Sequence, residues 1–233
     1  MKKSLFAFLL LFFSTQAISQ SVLTSKFNGW TSHNLNGNVK KLKSAYFIVE
    51  SESGRFSEKQ KKGTCELFEF SQSGIELSCK IFDNKDSLLM TSISVYQNDI
   101  VVEVYNINSK NELVEKWIPI KYVLGFYGIE IEGYKDGKMI KRAFNKVNSK
   151  GHRTEMKIYD TQDSLLYKQE LEYDKNENLT KTTSYEAGVT LKNMPKKIIS
   201  YKYTKFDKFN NWIERLEYSN KEIFLTERII EYY

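Results

Sequence analysis

The sequence is poor in the residues that most catalytic sites and chain breaks require. Its 233 residues include 2 Cys, 2 His, 2 Pro and 11 Gly. So little Pro and Gly excludes a collagen-like or low-complexity chain, and 35 Lys+Arg against 29 Asp+Glu excludes a disordered polyelectrolyte. No long stretch carries a 3.6-residue hydrophobic period. There is no Gly-x-Ser-x-Gly elbow, phosphate-binding glycine loop, His pair at i,i+4, Cys/His cluster or Asp-x-Asp-x-Asp-Gly calcium loop. Acyl transfer, nucleotide chemistry and metal binding therefore have no motif behind them. We expect no catalytic residue, no metal ligand and no cofactor.

The one long apolar run comes first. In MKKSLFAFLLLFFSTQAISQ, Lys2 and Lys3 precede Leu5–Phe13, and small residues follow at Ala17 and Ser19. The run is about half of the roughly 20 apolar residues that a spanning helix needs, and no later run matches it. Residues 1–19 read as a secretory signal peptide, cut after Ser19 or after Ala17. Residues 20–233 remain as a single domain with no transmembrane anchor and, with no Cys at the cleavage site, no lipid anchor. The expected location is the periplasm or the cell surface.

Without Lys2 and Lys3 the net charge falls from +6 to +4. Acids interleave with bases, as in Glu214-Arg215-Leu216-Glu217, which reads as a solvated face of mixed charge. A nucleic-acid binder concentrates positive charge on one face, so no nucleic-acid partner is expected. The most polar stretch, Ser51–Thr64, reads as a long mobile loop.

Period-2 alternation dominates, as in Ile199-Ser200-Tyr201-Lys202-Tyr203 and Gly128-Ile129-Glu130-Ile131-Glu132, and marks half-buried strands. Residues 111–118 fit either a short helix or, beside Pro119, an irregular strand. The segment FDNKDSLLMTSISVY (82–96) aligns without gaps with YDTQDSLLYKQELEY (159–173). Their shared opening belongs to a seven-residue pattern that begins at Phe70, Phe82, Ile107, Val147, Tyr159, Tyr173 and Phe206. Position two is Asp, Asn or Ser, which accepts backbone N–H groups and opens a turn. Position five is Gly74, Asp86, Asn111, Gly151, Asp163, Glu177 or Asn210, where a positive φ is tolerated best by Gly, Asn and Asp; Glu177 fits worst. Position seven is Leu88, Leu113, Leu165, Leu179 or Trp212 in five units and resumes the strand. Lys135-Asp136-Gly137-Lys138 is a separate two-residue hairpin signal.

These turns predict an all-β fold: an antiparallel hairpin-repeat meander of about a dozen strands, curved into a roll or barrel or folded into two packed layers. One face should be aromatic and the other charged. The aromatic C-terminal segment 225–233 should be paired inside the sheet. Cys65 and Cys79 are the only pair available for a disulfide in an oxidising compartment. They are expected to bridge across a hairpin turning near Gln72 and Ser73, unless a bulge shifts the register.

The units resemble the YD-repeat family, also called RHS repeats, most closely at Tyr159-Asp160, Tyr173-Asp174 and Phe206-Asp207. The whole chain is similar to small exported bacterial members of that group. The resemblance implies a β-rich surface or structural module that contacts carbohydrate or protein, and it brings no catalytic residue. Position five departs from the family's Gly in all but two units.

Individual residues add little. His33 and His152 are far apart, and His152 reads as an exposed turn residue. Glu130 and Glu132 share a strand face and could serve a carboxylate hydrolase, although a solvated strand gives the same spacing. The sequon at Asn178-Leu179-Thr180 is read as chance. Trp212 reads as core, Trp30 fits either core or binding, and Trp117 completes the large aromatics. No ligand-binding residue is assigned. The expected function is an exported, non-enzymatic binding or structural module of the bacterial envelope, with an envelope protein or cell-surface glycan as partner. The rivals are a dedicated protein-binding inhibitor or assembly accessory using a strand edge or loop 51–64, a carboxylate hydrolase, and an apolar-ligand carrier.

Overall fold

The computed structural model describes residues 33–49, 51–52, 55–56, 60–97, 100–123, 127–148, 152–186, 196–219 and 222–233. The signal peptide and Trp30 lie outside them. Fourteen of sixteen strands form one antiparallel meander: β1 (Val39–Val49), β4 (Gln60–Phe70), β5 (Glu76–Phe82), β6 (Leu88–Gln97), β7 (Ile100–Asn108), β8 (Leu113–Val123), β9 (Tyr127–Lys135), β10 (Lys138–Val147), β11 (Arg153–Asp160), β12 (Leu165–Tyr173), β13 (Leu179–Glu186), β14 (Lys196–Phe206), β15 (Trp212–Ser219) and β16 (Glu222–Tyr232). The last strand pairs with the first, so the sheet closes into a barrel. Of the predicted alternatives, the closed barrel is the one formed. The small pair β2 (Ser51–Glu52) and β3 (Arg55–Phe56) stands apart from it, and β4 already begins at Gln60, so residues 51–64 are not one long loop. Of residues 111–118, Asn111 and Glu112 close the preceding turn and 113–118 open β8, which carries Pro119 next to a register shift, the position where a strand tolerates a missing N–H.

The turns follow from their side chains. Asp83 accepts the N–H groups of Lys85 and Ser87, each at 2.8 Å. Its own N–H donates to the Ser87 carbonyl at 2.9 Å, while Asp86 N–H donates to the Asp83 carbonyl at 3.1 Å. This is a type I turn followed by a bulge in the left-handed region. Asn108, Asp160, Asp174 and Asp207 repeat the two side-chain bonds. Position five has positive φ at Gly74, Asp86, Asn111, Asp163 and Asn210, and also at Glu177 (69°). The ill-fitting Glu is thus carried into the same turn by the Asp174 bonds. Asp136 (50°) and Gly137 (73°) form the separate tight hairpin.

Strand parity separates two walls. The paired row Leu42, Phe68, Cys79, Ser92, Asn106 and Glu115 is buried throughout. So is the row Asn145, Met156 and Gln169. These residues face the barrel interior. The opposite parity carries ion pairs such as Lys116–Glu103 (2.8 Å), Lys168–Glu170 (2.6 Å), Lys181–Glu172 (2.7 Å) and Lys205–Glu214 (2.6 Å). One apolar island interrupts this outer wall, where Val49, Leu216 and Leu225 pack with Phe47 and Ile223. The expected division into an aromatic and a charged face is therefore overturned: charge lies on both walls.

The two ends differ. At one end, where turns 71–75, 174–178 and 207–211 lie and Asn148 bonds to His152, the residues His152, Arg153, Leu179, Asn211 and Trp212 are buried. The segment 33–38 tucks in there. Asn36 N–H donates to the Asn211 side-chain oxygen at 2.6 Å, and the Asn211 amide donates to the Asn36 carbonyl (3.0 Å) and the Tyr232 hydroxyl (2.8 Å). Leu35 joins Val39, Leu42, Phe68 and Phe70 in the main apolar cluster. At the other end Leu88 and Leu113, in the equivalent turn position, stay 36% and 54% exposed.

Candidate functional site

The densest chemistry is a charged cluster on the inner wall between β13 and β4. Pairing sets Tyr46 opposite Thr226, Thr226 opposite Arg215, and Arg215 opposite Tyr203. Ser44 lies opposite both Arg228 and Glu66. Tyr46 donates to the Glu66 carboxylate at 3.0 Å. Glu217 accepts from Arg215 Nη2 at 2.7 Å and from the Thr226 hydroxyl at 2.5 Å. The Arg215 guanidinium lies 4.5 Å from the Tyr201 ring centre and 4.6 Å from that of Trp212. Arg228 stacks closer on Trp212, at 3.4 Å. Tyr201 shares a 3.1 Å hydrogen bond with Thr182.

Burial in this cluster moves protons. Burial pushes the Glu66 carboxyl up to about 7, with the Tyr46 hydrogen bond and the Arg228 charge pulling the other way. Burial, reinforced by repulsion from Arg215, lowers the Arg228 guanidinium to about 9. For Arg215 burial is the largest influence and opposes the charge, but Glu217 together with Tyr203 and Tyr201 outweighs it, so the guanidinium is raised above its ordinary range. Burial followed by the nearby Glu66 charge raises the Tyr46 hydroxyl well above its ordinary range.

A second interior group sits across β8 and β10. Glu115 forms an ion pair with Lys141 at 2.7 Å and accepts from the Trp117 indole at 3.0 Å, and the Lys141 ammonium lies 4.6 Å from the Trp117 ring centre. Gly133 makes room, since a Cβ there would stand 3.0 Å from Lys141 Cγ and 3.2 Å from Trp117 Cζ3. This group is closed on itself.

The residues singled out by sequence are scattered. Cys65 and Cys79 are both buried and not bridged. Cys65 pairs with Phe82 and Cys79 with Phe68, so the two thiols sit three residues out of register and point to opposite faces. The bulge after Gly74 adds the residue that flips the parity, and the expected disulfide is corrected on that ground. His152 is not exposed; it is 1% accessible, stacks on Tyr173 at 5.0 Å and lies 3.1 Å from Glu177. His33 is buried on Phe68, 2.9 Å from Glu76. Glu130 and Glu132 do share a face, but it is the outer one, where Glu132 accepts from Tyr134 at 2.5 Å. Trp212 is core, as expected, and also the stacking plate of the charged cluster.

Glu66, Arg215, Glu217 and Arg228 were not distinguished by the sequence pattern, because Arg215 and Glu217 looked like part of a solvated face. One signal was present. Only five of the 35 basic residues are Arg, and Arg153, Arg215 and Arg228 are all buried. A Lys-dominated chain uses Arg here, where a planar, multiply bonded cation must be held inside.

No family model matches the chain, and no curated protein matches it in sequence. A solved porin-like protein from Bacteroides uniformis is similar over 84% of this chain and 99% of that one, at 8% identity and a TM-score of 0.45. The Photorhabdus luminescens Tc holotoxin pore is similar over 79% of this chain at 10% identity and a TM-score of 0.32. This chain spans 10% of that one's length.

Proposed function

We propose that the chain is exported to the bacterial envelope and works there as a non-catalytic, water-facing barrel that binds or braces other envelope components. The observation that carries this reading is the charge on both walls. A membrane barrel presents lipid with an apolar band about 25 Å tall, and a Lys or Arg at mid-depth costs it about 2–4 kcal/mol. The outer wall instead carries Lys116, Lys168 and Lys181 in ion pairs with Glu103, Glu155 and Glu172 of neighbouring strands. The YD-repeat resemblance is supported by the turn bonds at Asp160, Asp174 and Asp207.

The rival readings lose their footing. An apolar carrier would need an apolar interior, whereas this one holds Glu66, Arg215, Glu217 and Arg228. The inner carboxylates Glu115 and Glu217 are engaged with cations, Glu66 is bonded to Tyr46, and the Glu130 and Glu132 pair faces outward, which supports the non-catalytic reading over a hydrolase. A partner protein has no edge of the main sheet to add to, and the exposed rim at Leu88 and Leu113 is the better place to meet one.

The test is detergent phase partition of the exported chain, together with crosslinking in cells and mass spectrometry. We expect recovery in the aqueous phase and crosslinks to an envelope protein or glycan. Recovery in the detergent phase, or turnover of a cell-wall polysaccharide with contaminating enzymes excluded, would overturn the reading.

A further inference from the structure

Arg228 differs from the other buried charges of the inner wall. Its Nε and Nη2 atoms are buried without a hydrogen-bond partner, and its Nη1 reaches only the His33 carbonyl, at 3.5 Å. Among the described residues no carboxylate lies within ion-pair distance of it. Nε and Nη2 form the side-on edge of a guanidinium, two parallel N–H groups spaced for two oxygens of one anion. The Trp212 ring holds that edge in place from 3.4 Å. Arg215 stacks on the same ring and likewise keeps its Nε without a partner, while its Nη2 is neutralised by Glu217. A guanidinium buried in this state is costly unless a counter-charge joins it.

We propose that Arg228, with Arg215 and Trp212, forms an interior binding site for an anionic oxygen group, a carboxylate or phosphate carried by a small ligand and received side-on by Arg228 Nε and Nη2. The proposal deepens the module reading, resting on it for where the ligand is met. Glu66 sets the conditions. It is faced by Tyr46 from β1, Arg228 from β16, Arg215 and Glu217 from β15 and Cys79 from β5. When ionised it partly balances Arg228, and when protonated it leaves that charge to the ligand. Anion uptake is therefore coupled to a proton on Glu66.

The experiment is calorimetric titration of the exported chain with inorganic phosphate and, separately, with acetate, at pH 6 and pH 8. With Glu66 protonating near 7, the competent fraction and hence the affinity for acetate, which stays ionised throughout, should fall about tenfold across that interval. Arg228→Lys keeps the charge and removes the side-on pair. It should weaken binding tenfold or more, about 1.4 kcal/mol, while circular dichroism confirms the fold. Glu66→Gln, which retains an acceptor for Tyr46, should bind acetate with no dependence on pH. Phosphate binding without acetate binding assigns a phosphorylated ligand, and the reverse assigns a carboxylate. No one-to-one binding of either anion to the folded chain, or equal affinity in Arg228→Lys, would overturn the site. So would a phosphate-soaked crystal with water alone on Nε and Nη2. Turnover or detergent recovery, which would end the module reading, is not what this titration measures, so the two failures are distinguishable.

Discussion

Neutralising Glu66 should stabilise the barrel at neutral and higher pH while leaving it almost unchanged in mild acid. The carboxyl is fully enclosed and its proton is held to about 7 by burial, against 4.5 for an ordinary Glu. The folded chain therefore keeps this proton to higher pH than the unfolded chain does. The stabilisation from that difference is complete below pH 4.5 and is lost as the pH rises through 7. At about 1.4 kcal/mol per pH unit, the loss amounts to about 3 kcal/mol by pH 8. Glu66→Gln removes the titration and keeps an acceptor for Tyr46. Urea unfolding of both proteins between pH 5 and 8, in buffers free of phosphate and carboxylate, gives the stability difference directly and cancels the other titrating groups. The variant's advantage should be under about 1 kcal/mol at pH 5 and grow to about 3 kcal/mol at pH 8. A difference that stays flat across this range would refute the reasoning, since it would mean that the carboxylate is as well solvated in the barrel as in the unfolded chain.

Asp207→Ala removes the acceptor of two turn N–H groups and of the Tyr232 hydroxyl, whereas Asp160→Ala removes two turn bonds at an exposed site. Urea unfolding should show the first costing about 1–2 kcal/mol more than the second. Gly133→Ala forces a Cβ against Lys141 and Trp117 and should cost about 1–3 kcal/mol as an overpacked site, seen as a lowered Tm with altered Trp fluorescence. Unfolded without reductant, the chain should take two alkyl groups by mass spectrometry, because Cys65 and Cys79 face opposite walls; a mass showing neither modified would restore the bridge.

What was legible in the sequence is what is local. A short Asp, Asn or Ser acceptor at position two reaches turn N–H groups of its own unit, so all the units described in full adopt the turn, even with Glu177 at the strained position. Register is less local. Each bulge inserts one residue, and a single inserted residue was enough to move Cys79 to the opposite face from Cys65. The charged cluster was hidden for another reason. In Glu214-Arg215-Leu216-Glu217 the alternation is plain, but alternation names two faces without saying which is inside, and here both faces carry charge. Only the pairing of β1 with β16 decides it, and those strands lie at opposite ends of the chain.

That seam also orders the assembly of the molecule. Every other pairing in the barrel joins neighbours in sequence, so hairpins can zip up one after another as the chain is delivered. The seam joins Val39 to Tyr232, and it must wait for β16. Until that strand arrives, β1 presents a row of unpaired backbone groups, and the growing sheet has two open sides that could pair with another copy. Closure is therefore the step on which solubility depends. Its natural counterpart is a circular permutant: with the first and last strands already side by side, the chain can be joined across the seam and reopened at the Asp136-Gly137 turn. The interval of open edges would then move to β9 and β10, away from the charged cluster, which would form early from strands adjacent in the new order.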